Sequence, residues 1–343
     1  MKIIHDKKKL PISYPIITSY VTYADTLAIL QNYKESEGWI YSNFINIWAD
    51  TSNVGDKAFR FEGWQIHNMC PQLYVTTMER AVLNNVSIDI CDFIKSAISL
   101  NYYVRLSYDS YYIRSSDKHK KSHYVHTMLL YSYDDSLNEF EGADFFVNGV
   151  YSFQKISYEE MKEAIISADH LTQYSYFTMI RYDKHRFNFN IEVVKHSIDN
   201  YLNSTNYRLA QQPQFLEHNE ISAIEEGKMK FGLSYYNELI KILKTILEND
   251  ADFYDIRPLH VLYDHKAMMN KRILYLIECH AYKLEEELVN SFIKIEKEVL
   301  SLRNLFLKYR ITNNKKIVEK IIHELKCLRD EERSALEKLK EAL

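Results

Sequence analysis

The chain is poor in glycine, cysteine and proline, and each shortage closes off a class of answer. Seven glycines in 343 residues, none in a G-x-G-x-x-G or G-x-x-x-x-G-K-[ST] spacing, leave no loop whose bare backbone could cradle a phosphate. The four cysteines, Cys70, Cys91, Cys279 and Cys327, form no C-x-x-C pair, so neither a zinc site nor a disulfide framework is indicated. A reducing cytoplasm is the expected compartment. An excess of one charge is lacking too: 43 basic and 47 acidic residues give a net charge of −4. That balance speaks against a nucleic-acid partner, and the lysine-rich runs at 7–9 and 118–121 read as solvated surface. No apolar run approaches the roughly 20 residues that a membrane span requires, and the basic N-terminus leads into no apolar signal core, so no membrane partner is expected.

What is present is ordinary in bulk and uneven along the chain. Hydrophobic residues make up 46% and charged residues 26%, values that suit a soluble globular protein long enough for two domains. The 28 tyrosines are no sign of aromatic binding by themselves. Composition changes near residue 195, from strand-like alternation rich in aromatics to charged amphipathic helices. The expected organisation is therefore an α+β domain at 1–194 and an all-helical domain at 195–343, with no Pro/Gly-rich linker between them.

In the first part, residues 24–32, 39–50, 71–84 and 87–100 read as helices. Strands follow at 102–108, in a hairpin turning near residue 136, at 150–153 and at 173–182. Ser157 with Glu160 forms a capping box that opens a helix. Helices followed by mostly antiparallel strands make an α+β arrangement. In the second part, 234–248 is amphipathic, and Pro258 sits where the first turn of a helix tolerates a missing N–H. Leu288, Phe292, Ile295, Val299, Leu302, Phe306 and Tyr309 then recur at alternating steps of four and three. Thr312-Asn313-Asn314 interrupts them, and Val318, Ile321, Leu325 and Leu328 resume the stripe. This predicts a long antiparallel helical hairpin whose stripe packs within its own domain, with a homodimer left open.

The chemistry concentrates in the 126–144 hairpin. Folding it on its turn brings His126 and Asp144 close to opposite each other, at a separation where cross-strand side chains meet. A carboxylate so placed fixes the imidazole tautomer and stabilises the imidazolium. For a nucleophile, Cys70 precedes Pro71 at the start of the expected 71–84 helix, where free N–H groups and the helix dipole favour a thiolate. An inert buried thiol is the equal alternative. Cys91 reads as core, Cys279 and Cys327 have no acid–base constellation nearby, and Ser42 is a weaker nucleophile at a helix start. His119, His123 and His126 raise a metal reading of poor geometry, and His123 is the substitute base.

These residues resemble a family. The stretch from His126 through Tyr131-Ser132-Tyr133-Asp134-Asp135 to Ala143-Asp144-Phe145 is similar to the His-strand-turn-strand-Asp pattern of papain-like bacterial peptidases and their acyltransferase relatives. Residues 39–43, Cys70-Pro71 and 151–161 resemble proteins related to the butirosin biosynthesis protein H, over residues 12–185 in all. The resemblance implies a papain-like core with a Cys70–His126–Asp144 triad. It implies amide formation in natural-product biosynthesis: acyl transfer from an acyl- or peptidyl-carrier-protein thioester to a small-molecule amine through an acyl-cysteine. No cofactor or metal is implied beyond the phosphopantetheinyl arm of the carrier. A peptidase or amidase, or an inactive binding or scaffold protein, are the alternatives. The departure from the family pattern is Ser42-Asn43 where many papain-like folds carry their cysteine.

Overall fold

The computed structural model describes residues 6–50, 58–62, 66–85, 88–172, 176–185, 187–205, 227–249 and 255–343. It is a mixed α+β protein with an antiparallel sheet and a helical C-terminal region. Two compact units divide the chain, one formed by Met1–Glu37 with Gln65–Phe187, the other by Gly38–Trp64 with Asn188–Leu343. The single boundary expected at 194/195 is thus replaced by a discontinuous one, because residues 38–64 belong with the helices. The cause is a set of buried polar contacts. Arg272 donates to the carbonyls of Tyr41 and Asn43, His265 Nε2 donates to the Ile45 carbonyl at 2.7 Å, and Phe59 packs edge-on against Tyr235 at 5.0 Å.

The first unit is built on seven antiparallel strands. In chain order these are β1 (Lys7–Lys9), β4 (Leu73–Glu79), β5 (Tyr103–Asp109), β6 (Val125–Asp134), β7 (Glu139–Val147), β8 (Val150–Ser157) and β9 (Tyr176–Tyr182), in spatial order β4-β9-β5-β6-β7-β8 with β1 beside β6. β2 and β3 belong to the other unit. The lysine run at 7–9 is therefore an edge strand, and Lys9 reaches Glu141 at 2.7 Å. Met128–Tyr133 of central β6 is buried without interruption, as expected of a strand covered on both faces. The β6–β7 turn falls at the expected place, with Asn138 taking the left-handed conformation at φ 52° that asparagine tolerates. Helices α1 (Val21–Leu30), α3 (Ile66–Met69), α4 (Arg80–Asn85), α5 (Ile90–Ser99) and α6 (Tyr158–Leu171) complete the unit. Asp89 caps α5 and the Ser157/Glu160 capping box opens α6. The expected helix start at Ser87 and strand start at Gln173 lie outside the described residues.

Two helices expected here are otherwise. Residues 71–84 hold a turn, strand β4 and the short α4. Leu73-Tyr74-Val75-Thr76-Thr77 is rich in β-branched and aromatic residues and pairs with β9 along its length. Residues 39–50 end their helix, α2 (Glu37–Ser42), early. Strand β2 (Ile47–Asp50) follows, between β3 (Ala58–Phe61) and β10 (Met229–Phe231). Ser42 closes α2 instead of starting a helix, and its Oγ donates back to the Gly38 carbonyl at 2.7 Å.

The second unit packs that three-stranded sheet with α7 (Ile191–Asn203), α8 (Ser234–Asn249), α9 (Arg257–His280), α10 (Glu286–Thr312) and α11 (Lys315–Ala342). Pro258 lies in the first turn of α9. Asn313, left-handed at φ 50°, separates α10 from α11, and the apolar stripes of both helices are buried within the chain. At the centre, the Lys266 ammonium donates to Tyr201 OH at 3.1 Å, to His265 Nδ1 at 3.0 Å and to Glu332 Oε1. Glu332 Oε2 accepts from Tyr201 at 3.1 Å and Tyr236 at 2.8 Å. Three ammonium protons thus meet three acceptors, the condition under which a buried charge is tolerated. Among the described residues no helix is long and apolar enough to cross a membrane.

Candidate functional site

Strand β6 starts at Val125, so His126 stands at the entrance of the strand and Asp144 on the neighbouring β7. The regular pairing ends at Leu129–Ala143. Asp144 counts across from Met128, and His126 lies two residues beyond, so the two meet diagonally and not as direct partners. His126 Nδ1 is 2.8 Å from Asp144 Oδ2, and Tyr108 OH donates to the same oxygen at 2.6 Å. Tyr108 is the residue across from His126 on β5. The carboxylate is fully buried, while the His126 side chain is 27% exposed, and its Nε2 has no partner among the described residues. The ring lies parallel to Tyr124 at 5.7 Å and edge-on to Phe145 at 6.3 Å. Burial alone would lower the His126 pKa. The charge and hydrogen bond of Asp144, with the charge of Asp25, more than offset it and hold the imidazole above its ordinary value.

Behind the dyad lies a group that the sequence reading passed over. Asp25, on α1, which is buried from Thr22 to Leu30, accepts from Arg105 Nε at 3.1 Å and from Tyr151 OH at 2.9 Å. Arg105 Nη2 also reaches Thr22 Oγ1 at 3.1 Å. Burial pushes the Asp25 carboxyl up to about 7, with Arg105 and Tyr151 pulling the other way and the charge of Asp144 adding to the rise. His67 on α3 is driven down to about 4 by burial, then by the charge of Arg105. A signal for this cluster was available: Asp25 is the one charge in a helix of apolar and small residues, and Arg105 the one charge in YVRLSY. Isolated charges in buried elements require partners.

Cys70 lies elsewhere in its contacts. The helix expected to begin at Pro71 is absent, so no helix N-terminus faces the thiol; Cys70 follows α3 and leads by a turn into β4. Its sulfur takes hydrogen bonds from the backbone of Gln72 and Leu73, and burial pushes the thiol up to about 12. No hydrogen bond or charge interaction joins it to His126. Cys91 is core as expected, its thiol raised to about 11 by burial and the neighbouring Asp89. Cys279 and Cys327 are exposed, and Ser42 belongs to the second unit.

His123 has its own carboxylate. Its Nδ1 is 2.6 Å from Asp109 Oδ2, which also accepts from Ser167 Oγ at 2.7 Å, while the imidazole stacks on Tyr111 at 4.3 Å. Asp109 is held below its ordinary value: burial pushes it up, but the bonds from His123, Ser167 and two backbone N–H groups prevail. His119, whose Nδ1 is 3.1 Å from the Tyr111 carbonyl, does not join the other two histidines. Among the described residues no group of three or more His, Cys, Asp or Glu side chains could hold a metal ion.

The first unit is therefore an antiparallel α+β domain carrying a partly exposed imidazole oriented by a buried carboxylate, an arrangement suited to proton transfer at His126 Nε2. No family model and no curated protein matches the chain.

Proposed function

We propose that the first unit is an acyl-transfer domain of papain-like type, in which His126 is the general base and Asp144 its orienting carboxylate. The observation that carries this reading is the 2.8 Å contact of His126 Nδ1 with a fully buried Asp144, leaving Nε2 open to a substrate. An imidazole held above its ordinary value by a neighbouring carboxylate is the kind of group that general acid–base catalysis uses. The donor, a carrier-protein thioester, and the acceptor, a small-molecule amine, are taken from the family resemblance.

Two routes lead to the amide. In one, Cys70 forms an acyl-enzyme that the amine then opens. In the other, the amine attacks the thioester directly: its nitrogen forms the C–N bond, His126 Nε2 takes the proton, the C–S bond breaks, and the proton passes to the departing thiolate. The contacts of Cys70, with its thiol pushed up to about 12 by burial, favour the direct route. The same buried thiol favours, as second reading, a binding or scaffold protein without turnover.

Intact-protein mass spectrometry with simple acyl thioesters, combined with product analysis in the presence of primary amines, tests these readings. Amide formation without a protein adduct, lost in His126→Ala and kept in Cys70→Ala, supports the direct route. An adduct lost in Cys70→Ala restores the acyl-cysteine route. Hydrolysis without amide points to an amidase. No product and no adduct with either variant or wild type leaves the binding role.

A further inference from the structure

The chain as a whole is slightly acidic, yet the loop between β5 and β6 is basic. Residues 110–124 carry Arg114, Lys118, Lys120 and Lys121 against a single acid, Asp117. Arg114 Nε lies 3.5 Å from Glu160 Oε1, and the Lys121 ammonium donates to the Asp117 carbonyl at 3.1 Å. Lys118, Lys120 and Lys121 are exposed, and among the described residues no carboxylate meets any of them. The other lysine run differs, since it forms β1 and its Lys9 is paired with Glu141.

The loop is held in one shape by its own backbone. The N–H of Asp117 donates to the Phe146 carbonyl at 2.9 Å, that of His119 to Ser116 at 3.1 Å, that of Lys120 to Tyr111 at 3.0 Å and that of Lys121 to Lys118 at 2.9 Å. Lys118 N–H reaches Ser116 Oγ at 3.1 Å, and Asp117 Oδ2 accepts from the Asn148 N–H at 3.1 Å. Lys120 is left-handed at φ 52°, a conformation unfavourable to a residue with a Cβ. These N–H groups are spent inside the loop, so an incoming group meets its side chains.

Asp109, fully buried at the end of β5, closes the loop. Its Oδ1 accepts from the N–H groups of Tyr111 and Tyr124, one near each end of the loop, at 3.1 and 3.0 Å. Its Oδ2 accepts from Ser167 Oγ and faces His123 Nδ1 at 2.6 Å. The His123 side chain is 52% exposed, and its Nε2 has no partner among the described residues. An imidazole fixed through Nδ1 presents Nε2 outward and donates from it when both nitrogens are protonated. The loop also springs from the strands that carry the dyad. Tyr108, across from His126, immediately precedes Asp109, and the ring of Tyr124, next to His123, lies parallel to that of His126. Three residues of chain keep the Cα atoms of His123 and His126 within about 11 Å.

We propose that the β5–β6 loop is a phosphate-binding surface, in which Lys118, Lys120, Lys121 and His123 Nε2 hold the phosphate ester of a phosphopantetheinyl donor whose thioester lies at His126. Ammonium groups on flexible stems bind phosphate as point charges, and several of them around one oriented imidazole match an anion whose charge is shared over several oxygens. Exposure makes the attraction sensitive to salt. The attachment of the phosphate to an acyl donor rests on the acyl-transfer reading; the phosphate site itself is read without turnover.

The experiment is isothermal titration calorimetry of the full-length protein with three probes: 4′-phosphopantetheine, pantetheine and inorganic phosphate. Wild type should bind 4′-phosphopantetheine roughly tenfold or more tighter than pantetheine, with the difference shrinking as salt rises. The Lys118→Ala/Lys120→Ala/Lys121→Ala variant should lose that difference, and His123→Gln should lose part of it. The three lysines are exposed, so their variant keeps the test open should His123→Gln loosen the loop. Lys7→Ala/Lys8→Ala, which removes charge elsewhere, should bind as wild type does. Equal affinity for pantetheine and 4′-phosphopantetheine, an unchanged affinity in the triple-lysine variant, or an equal loss in Lys7→Ala/Lys8→Ala overturns the proposal. Inorganic phosphate or a single-stranded oligonucleotide bound more tightly than 4′-phosphopantetheine also overturns it, in favour of free phosphate or of a nucleic acid. Binding of 4′-phosphopantetheine through the loop, with no acyl transfer from any thioester, overturns only the functional reading.

Discussion

Replacing Glu332 by alanine is the most exacting perturbation that this fold offers. Lys266 and Glu332 are 2% and 1% exposed, so solvent screening gives their attraction little discount. With an effective dielectric near 20, two charges about 4 Å apart attract by about 4 kcal/mol, and removing one member of a buried pair typically costs about 3–5 kcal/mol. Tyr201 and Tyr236 lose their carboxylate acceptor as well, and each buried hydroxyl left unpaired adds about 1 kcal/mol or more unless it finds a new partner. The expected loss is about 5 kcal/mol, a large share of the roughly 5–15 kcal/mol that holds a domain folded. All three tryptophans, Trp39, Trp48 and Trp64, fall within the 38–64 segment of the second unit, so urea unfolding followed by tryptophan fluorescence reads that unit. At an m-value of about 2 kcal/mol/M the midpoint falls by about 2.5 M. Lys266→Met should cost less, because Glu332 keeps the hydrogen bonds of two tyrosine hydroxyls. The Lys266→Met/Glu332→Leu double variant should recover part of the loss of Glu332→Ala. A Glu332→Ala midpoint indistinguishable from wild type would refute the reasoning, and so would a double variant as unstable as the sum of the single ones.

Four further outcomes are expected. Iodoacetamide at pH 7.5 modifies the exposed Cys279 and Cys327 rapidly and leaves Cys70 and Cys91, with thiols at about 12 and about 11, nearly untouched; peptide mapping that finds Cys70 labelled as fast as Cys279 contradicts this. Asp144→Ala lowers amide formation by roughly two orders of magnitude or more, in line with the contribution of a positioned proton-transfer group, and lowers the pH midpoint of the rate because His126 loses the charge that raises it; the pH–rate profile decides. The folded state holds the Asp25 proton more tightly than the unfolded chain does, so this group's contribution to stability is full below about pH 4 and is lost as pH rises through about 7; the difference in urea midpoint between wild type and Asp25→Asn should change in that sense across the window. Gly232→Ala destabilises the second unit by about 2 kcal/mol or more, because φ is +52° and an added Cβ would stand 2.1 Å from the Tyr201 carbonyl oxygen; a melting temperature equal to wild type would count against the described turn.

Local chemistry made much of the fold readable from the chain. The 126–144 hairpin, the Ser157/Glu160 capping box, Pro258 at the start of α9 and the break at Asn313 each rest on residues whose preference is satisfied by near neighbours. The His126–Asp144 pair was readable for the same reason, since one turn brings both residues together. Residues 71–84 were not, because their strand is stabilised by pairing with β9 about one hundred positions away. A helix-like apolar spacing does not reveal so distant a partner. Residues 39–50 depart from the expected helix for a related reason: the groups that hold Tyr41, Asn43 and Ile45, namely Arg272 and His265, lie more than 200 residues further along.

Sequence by itself determined the α+β character, the long helical hairpin and the His126–Asp144 pair, because hydrophobic period, capping and turn chemistry act over a few residues. Tertiary structure alone decided what surrounds that pair. It withdrew Cys70 into the interior by replacing a helix start with a strand. It carried Asp25 from a distant helix to the back of the dyad, and it enclosed Lys266 with Glu332. Each of these is a question of burial and of charge brought close in three dimensions, and neither quantity is written in the spacing of residues along the chain.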